Sequence, residues 1–179
     1  MTAFNEEASN EQALDWTILR DGGIVLYWRS KFLADDLSWL EQNGYQIVSF
    51  DAAGWGSEEA MHQSLQDALS FPDYYGRNLD ALDECICDNL VVPDAGGLVL
   101  VLRGYDHFAK AVQKSASGQT RIAEVLLDIF ARAVRYHMLH GKRLLILIQS
   151  DDPKIEFGRV GGQAPTWNHR EWFNKDRGL

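Results

Sequence analysis

Acidic side chains at helical spacing, next to two tyrosines, are the residues of this sequence that best suit chemistry or binding. Asp80 and Glu84 are four residues apart, so a helix would place both carboxylates on one face. Such a pair can serve as general acid and base in a hydrolase, with His62 or His107 as partners. That reaction needs a pocket, which the exposed face of a helix does not provide. The other use of these carboxylates is binding.

The segment between residues 71 and 86 predicts a tight loop followed by this helix. Pro72 cannot continue a preceding helix, and Gly76 permits a sharp reversal. The loop between them carries Tyr74 and Tyr75, and Asn78 can cap the helix that follows. Apolar residues then recur at three- and four-residue spacing and predict one buried stripe, formed by Leu79, Leu82, Ile86 and Leu90. The acidic residues fall on the opposite side: Asp80, Asp83, Glu84 and Asp88.

Two interpretations fit an acidic helix face. Most such faces are only solvated surface, because charged side chains usually lie in water. Here the adjacent tyrosines add rigid, amphipathic area beside the charge, and the hot spots of protein interfaces favour that combination. We therefore predict a partner-binding surface that comprises Tyr74, Tyr75, Gly76, Asn78, Asp80, Asp83, Glu84 and Asp88.

The same segment resembles the signature of a known family. The string Tyr74-Tyr75-Gly76-x-Asn78-Leu79-Asp80-Ala81-Leu82 is similar to that of the barstar family, intracellular inhibitors of the ribonuclease barnase. A weaker likeness extends from about residue 45 to residue 149 in the order that the family has. The resemblance implies a small α/β domain with a three-stranded parallel sheet flanked by helices. It also implies a protein without catalysis, which plugs the active site of a secreted ribonuclease with acidic side chains.

Carried over position by position, the resemblance implies roles for individual residues. Tyr74 matches a tyrosine that packs on the nuclease, Asp80 matches an acidic contact, and Glu84 stands where the family has its dominant aspartate. Three positions depart from the pattern. Asp83 stands where the best-known member has a tryptophan, and Glu84 is one methylene longer than the aspartate. Arg132 aligns with a contacting glutamate on a later helix.

The implied partner is a basic ribonuclease of barnase type or a related secreted nuclease toxin, bound one to one. The protein would then be the immunity half of a toxin pair. The alternative is a barstar-fold interaction or regulatory module whose partner is not a nuclease, and the departures at Asp83 and Arg132 leave this alternative open.

Composition agrees with a globular binding protein. The chain has 179 residues, of which 46% are hydrophobic and 24% charged, so it can bury a sizeable core. A net charge of −9 disfavours direct contact with nucleic acid and suits a basic partner, although the same charge also serves solubility. The first ten residues are polar and no apolar run approaches the roughly 20 residues that span a bilayer. We therefore expect a cytoplasmic protein that does not contact membranes.

Alternating helical and apolar β-like patterns predict an α/β fold, with a mainly parallel sheet of three to four strands flanked by helices. Residues 1–44 form a predicted N-terminal extension, in which a hairpin around Asp21-Gly22-Gly23, or an edge strand, is followed by a helix. Residues 45–150 form the predicted barstar-like domain. Residues 151–179 form a C-terminal extension, whose Trp167, Trp172 and Phe173 either cover the domain or make a second contact surface.

No cofactor or metal is predicted. His137 and His140 are three residues apart on a predicted helix, but the sequence identifies no third ligand. The glycines at 158, 161 and 162 lack the strand, helix and lysine of a phosphate-binding loop and predict a turn. Cys85 and Cys87 point in directions about 200° apart on one helix, which suits neither a disulfide nor a pair of metal ligands.

Overall fold

Five parallel strands form the centre of the protein, which the computed structural model describes over residues 13–115 and 121–179. In this part of the chain the strands are β1 (Ile24–Tyr27), β2 (Tyr45–Asp51), β3 (Gly97–Arg103), β4 (Leu144–Gln149) and β5 (Thr166–Trp167). Their order across the sheet is β2-β3-β4-β1-β5, and each neighbouring pair is parallel. The predicted α/β class is confirmed, although these residues form five strands rather than three to four.

Helices cover both faces of the sheet. The described residues form α1 (Leu14–Arg20), α2 (Ser30–Gln42), α3 (Glu58–Leu69), α4 (Leu79–Asp88), α5 (Tyr105–Ser115) and α6 (Ile122–Leu139). The connection from β1 to β2 crosses the sheet in the opposite direction from the connections β2 to β3 and β3 to β4. Because parallel crossovers are right-handed, α2 lies on one face of the sheet and α3 to α6 on the other. No helix in these residues is long and apolar enough to cross a membrane.

The two central strands carry the core. Residues 98–102 of β3 and 144–148 of β4 are at most 2% exposed, as expected for strands covered by helices on both faces. Helix α6 packs on β4, and α4 packs on α6. The position of the acidic helix α4 is therefore set through α6.

The N-terminal hairpin is a wrong prediction. Residues 16–19 belong to α1, and β1 lies inside the sheet between β4 and β5 rather than at an edge. The backbone N–H of Gly23 donates to the Ile18 carbonyl at 2.8 Å, and that of Gly22 donates to the Leu19 carbonyl at 3.2 Å. These two bonds form a Schellman motif, which ends a helix and uses the same glycine-rich sequence as a hairpin turn.

The C-terminal extension packs against the end of β1, where β5 adds the fifth strand. Fully buried Glu171 accepts hydrogen bonds from the backbone N–H groups of Trp28 and Arg29, at 2.9 and 2.8 Å. The Arg177 guanidinium lies 4.4 Å from the ring centroid of Trp167. The extension is therefore tied to the domain by hydrogen bonds to main-chain groups as well as by packing.

Two aromatic rings of the extension stay in contact with water. Trp172 is 53% exposed and Phe173 is 62% exposed, although Glu171 beside them is fully buried. The extension thus covers the end of β1 and also leaves an apolar patch on the surface.

Candidate partner-binding surface

Helix α3 holds the loop that precedes α4. The Gln66 side chain donates to the Pro72 carbonyl at 3.4 Å and accepts from Arg77 Nε at 2.9 Å. Arg77 has a φ of +47°, so the left-handed backbone position of this loop falls on Arg77 and not on Gly76. A Cβ at Gly76 would lie 3.1 Å from the side-chain amide of Asn78, so the glycine gives room to the helix cap.

Tyr75 points into the protein. Its side chain is only 5% exposed, its ring packs against Phe71 with centroids 5.2 Å apart, and its hydroxyl lies 2.5 Å from Nδ1 of buried His62. This burial corrects the prediction that Tyr75 contacts a partner directly, since a partner cannot reach a ring inside the core. The residue instead supports the loop that carries its neighbour, Tyr74.

Tyr74 points into solvent. Its side chain is 77% exposed, and its hydroxyl lies 3.5 Å from Nδ2 of Asn89, the residue that follows α4. Large aromatic side chains are usually buried at least in part, because their transfer from water is favourable. An exposed, rigid ring beside a charged helix is suited to contact another protein.

Helix α4 begins at a true cap and separates apolar from acidic residues. The Asn78 side chain accepts a hydrogen bond from the Ala81 N–H at 2.8 Å. Leu82 and Ile86 are fully buried, and Cys85 is buried beside them. The acidic side chains point outward, as the helical period predicts, and three of them are exposed: Asp80, Glu84 and Asp88.

We call Tyr74, Asp80, Glu84 and Asp88 the docking face. Within residues 13–115 and 121–179, no lysine, arginine or histidine forms a salt bridge with its three carboxylates. No salt bridge within the described residues therefore neutralises their charge, which is exposed to solvent.

Asp83 differs from the other carboxylates of α4. Its Oδ2 lies 3.0 Å from Arg132 Nη1 on α6, so its charge is compensated within the protein. Tyr136, one turn further along α6, has its hydroxyl 3.3 Å from Oδ1 of Asp88. Neither contact is predictable from the sequence, although Asp83 and Arg132 each depart from the family pattern, because nothing local indicates which faces of α4 and α6 meet.

The buried histidine below the loop is neutral at neutral pH. Burial lowers the pKa of His62, an effect that the nearby Glu58 carboxylate partly opposes. The Nε2 atom of His62 lies 3.5 Å from Glu58 Oε1 and has no closer polar partner in the described residues. Burial also raises the pKa of the Tyr75 hydroxyl, which remains protonated.

The histidines considered for a hydrolase do not join the acidic pair. His62 contacts Tyr75, and His107 lies 3.2 Å from Asp151, which follows β4. Neither has a hydrogen bond with Asp80 or Glu84 in the described part of the chain. In the described residues, neither histidine is therefore placed to act together with the acidic pair.

Possible metal ligands are engaged in other contacts. His137 Nε2 lies 2.9 Å from the Ile86 carbonyl oxygen and His140 Nδ1 lies 2.8 Å from that of Tyr136, so the two rings serve different acceptors. Three side chains in the described residues have spacing compatible with a metal ion: Asp106, His107 and Asp151. The Lys110 ammonium lies 3.0 Å from Oδ2 of Asp106 and already balances that carboxylate.

The fold is thus a parallel α/β domain, and an acidic helix lies exposed on its surface beside a projecting tyrosine. The family described as Barstar (barnase inhibitor) matches residues 45–149, more than half of the chain. The chain belongs to the barstar family, which confirms the resemblance found in the sequence.

A Bacillus subtilis (strain 168) protein named "Putative ribonuclease inhibitor YrdF" is 41% identical to this chain over 59 residues. The shared segment is 33% of this chain and 60% of that protein. The likeness therefore spans less than two thirds of that relative's own length.

Proposed function

We propose that this protein inhibits a basic ribonuclease of barnase type by binding it one to one and covering its active site. Membership of the barstar family and the name of the B. subtilis relative support a ribonuclease as partner. The observation that carries the proposal is the docking face, with exposed carboxylates that no cation of the described residues neutralises.

The inhibition would work by occlusion. A ribonuclease site must attract the phosphates of RNA, so it is positively charged where the substrate lies. Asp80 and Glu84, one helical turn apart, would occupy those phosphate positions, while Tyr74 packs on apolar ground at the rim. The rigid cap at Asn78 and the buried Tyr75 hold these groups in place before binding, which reduces the entropy lost on association. No chemical step by the inhibitor is required.

One observation favours a second function, the binding of a partner that is not a nuclease. The Arg132 guanidinium compensates Asp83 on the docking side of α4, so the surface there is not uniformly acidic. A partner of mixed charge would suit such a surface.

The test is a titration of the protein into barnase while RNA cleavage is followed. We expect inhibition that saturates at one equivalent. Glu84→Arg should weaken the complex about tenfold or more, since it places a cation against a cationic site. Glu41→Arg is the matched control, because Glu41 is also an exposed glutamate but lies at the end of α2, on the other face of the sheet.

The association rate gives a second readout. Steering between opposite charges is screened over about 8 Å at physiological ionic strength, so association should slow as salt rises. Glu84→Arg should flatten this salt dependence and Glu41→Arg should not. Full RNA cleavage at an excess of the wild-type protein would contradict barnase as a target.

A further inference from the structure

An ion pair between α6 and α4 borders the docking face. Arg132 Nη1 lies 3.0 Å from Asp83 Oδ2, and its Nε lies 3.9 Å from Asp128 Oδ2. The side chains of Arg132 and Asp83 are 49% and 31% exposed, so about half of the arginine side chain is accessible to solvent. Part of its hydrogen-bonding capacity therefore remains available to a partner.

Neighbouring contacts fix the direction of this arginine. Asp128 is itself held in place, because its Oδ1 accepts a hydrogen bond from the Gly161 N–H at 2.7 Å. Asp83 lies on the rigid helix α4, one residue before Glu84 of the docking face. Arg132 thus lies between two positioned carboxylates, and its charge lies next to the exposed acidic side chains.

The pair contributes little to the stability of the fold, because exposed ion pairs gain modest Coulomb energy and lose side-chain entropy. It also acts on an incoming partner. A cation beside the docking face repels positive groups that approach within the screening length of about 8 Å. The same guanidinium can donate a forked pair of hydrogen bonds to a carboxylate or carbonyl oxygen on a partner.

We propose that Arg132 is a specificity-determining residue of the docking face: it disfavours partners whose site is positive throughout and favours those with an acceptor oxygen beside their cationic groups. The inference rests on the proposed function only in using the docking face as the contact surface. Asp80 and Glu84 supply the attraction, and Arg132 restricts which positive surface can use it.

A labelled ten-residue lysine peptide is a probe that is positive along its whole length. Its affinity is measured by fluorescence anisotropy at low ionic strength for the wild type and four variants. Arg132→Gln should tighten binding about threefold, since an exposed charge pair is worth at most about 1 kcal/mol. Arg132→Lys retains the charge and should bind as the wild type does. Glu84→Gln should weaken binding, which places the peptide on the docking face.

Arg135→Gln is the matched control. It removes the same charge from α6, but Arg135 contacts the Gly161 carbonyl at 2.5 Å and not α4. If Arg132→Gln and Arg135→Gln changed the peptide affinity equally, the protein's net charge alone would explain the change, and the proposal would be overturned. An unchanged or weaker affinity of Arg132→Gln would overturn it too, as would a peptide affinity that Glu84→Gln leaves unaltered.

The barnase titration separates this inference from the proposed function. Inhibition of barnase by the wild type, with no effect of Arg132→Gln on the peptide, retains the function and removes the role of Arg132. The reverse result retains Arg132 as a specificity determinant and removes barnase as the partner. A peptide that no variant binds overturns the inference, whatever the ribonuclease does.

Discussion

Carboxylates serve two different purposes at two sites of this molecule. On the docking face, Asp80, Glu84 and Asp88 are exposed and lack a cationic partner in the described residues. At the junction between β1 and the C-terminal extension, Asp36 and Glu171 are buried and surrounded by donors. Tyr27 and Asn168 each donate to Asp36 at 2.8 Å, and Arg170 contacts it as well.

The difference shows that environment, and not residue type, decides what an acidic side chain does. A desolvated carboxylate costs free energy unless hydrogen bonds replace its water, so a buried one must be fully bonded and its loss harms the fold. An exposed carboxylate keeps its water in the free protein, so we expect its loss to weaken binding without harming the fold. The two sites should therefore respond in opposite ways to the same substitution.

The largest effect is expected at the buried site. Glu171→Gln replaces one acceptor oxygen by an NH2 group that faces a backbone N–H, so one of the two bonds to Trp28 and Arg29 is lost. A hydrogen bond to a charged group is worth about 1.5–3 kcal/mol, and we expect about 2 kcal/mol of lost stability. Denaturant unfolding measures this loss as a lower midpoint concentration, provided that the dependence of the unfolding free energy on denaturant is unchanged. A change below about 0.5 kcal/mol would mean that the extension is not tied to β1 through this carboxylate.

Tyr74 and Tyr75 allow the same comparison between an exposed and a buried side chain of one residue type. Tyr75→Phe removes the hydroxyl that contacts His62 and leaves a buried ring nitrogen without a partner, at a cost of about 1–2 kcal/mol. Tyr74→Phe removes an exposed hydroxyl and should change stability by less than about 0.5 kcal/mol. The unfolding midpoints of both variants, with circular dichroism to verify the fold, test this difference. Equal losses would contradict the assignment of Tyr75 to the core.

The sequence predicted the elements that local rules determine. Asn78 as a cap, the apolar stripe from Leu79 to Leu90 and the apolar runs of β3 and β4 were all visible, because capping and periodicity depend on near neighbours. The hairpin prediction was wrong because Gly22 and Gly23 suit a Schellman motif as well as a turn. Local rules do not distinguish the two.

The rest depends on contacts between distant parts of the chain. Glu171 and Trp28 are 143 positions apart, and β5 is only two residues long, too short for a periodic signal. The burial of Tyr75 beside exposed Tyr74 follows from the way α3 packs under the loop, which adjacent identical residues do not reveal. The roles of the docking-face residues in binding remain predictions.

A smaller effect is expected from pH, since one titratable group is buried under the docking loop. The pKa of His62 lies below its ordinary value of 6.5, because burial disfavours the charged ring. The unfolded chain therefore binds this proton more readily, and stability that is present above about pH 6.5 is lost as the pH falls below it. Glu58 and Arg77 are the charged groups that act on the ring. Unfolding midpoints between pH 8 and 5 measure the loss.

His137 is also buried with a lowered pKa, so it contributes in the same direction. The specific expectation is that His62→Gln gives a shallower fall in stability between pH 7 and pH 5 than the wild type. By the same reasoning, His137→Gln on α6 should also give a shallower fall. The same slope in wild type and His62→Gln would show that His62 is not the group that titrates.

The smallest change in stability is expected for Glu84→Gln, and it should be a gain where Glu171→Gln gives a loss. Glu84 has Asp80 and Asp88 at four residues on either side, and like charges at this spacing repel by about 0.2–0.5 kcal/mol per pair. Glu84→Gln removes both repulsions, so it should stabilise the protein by about 0.5 kcal/mol, or roughly 1–2 °C in melting temperature. The gain should shrink at high salt because exposed charges are screened. Glu→Gln would then destabilise at position 171 and stabilise at position 84, while only the second weakens binding of a basic partner. A loss of stability in Glu84→Gln would mean that Glu84 has a structural role like that of Glu171, and the separation between the two sites would fail.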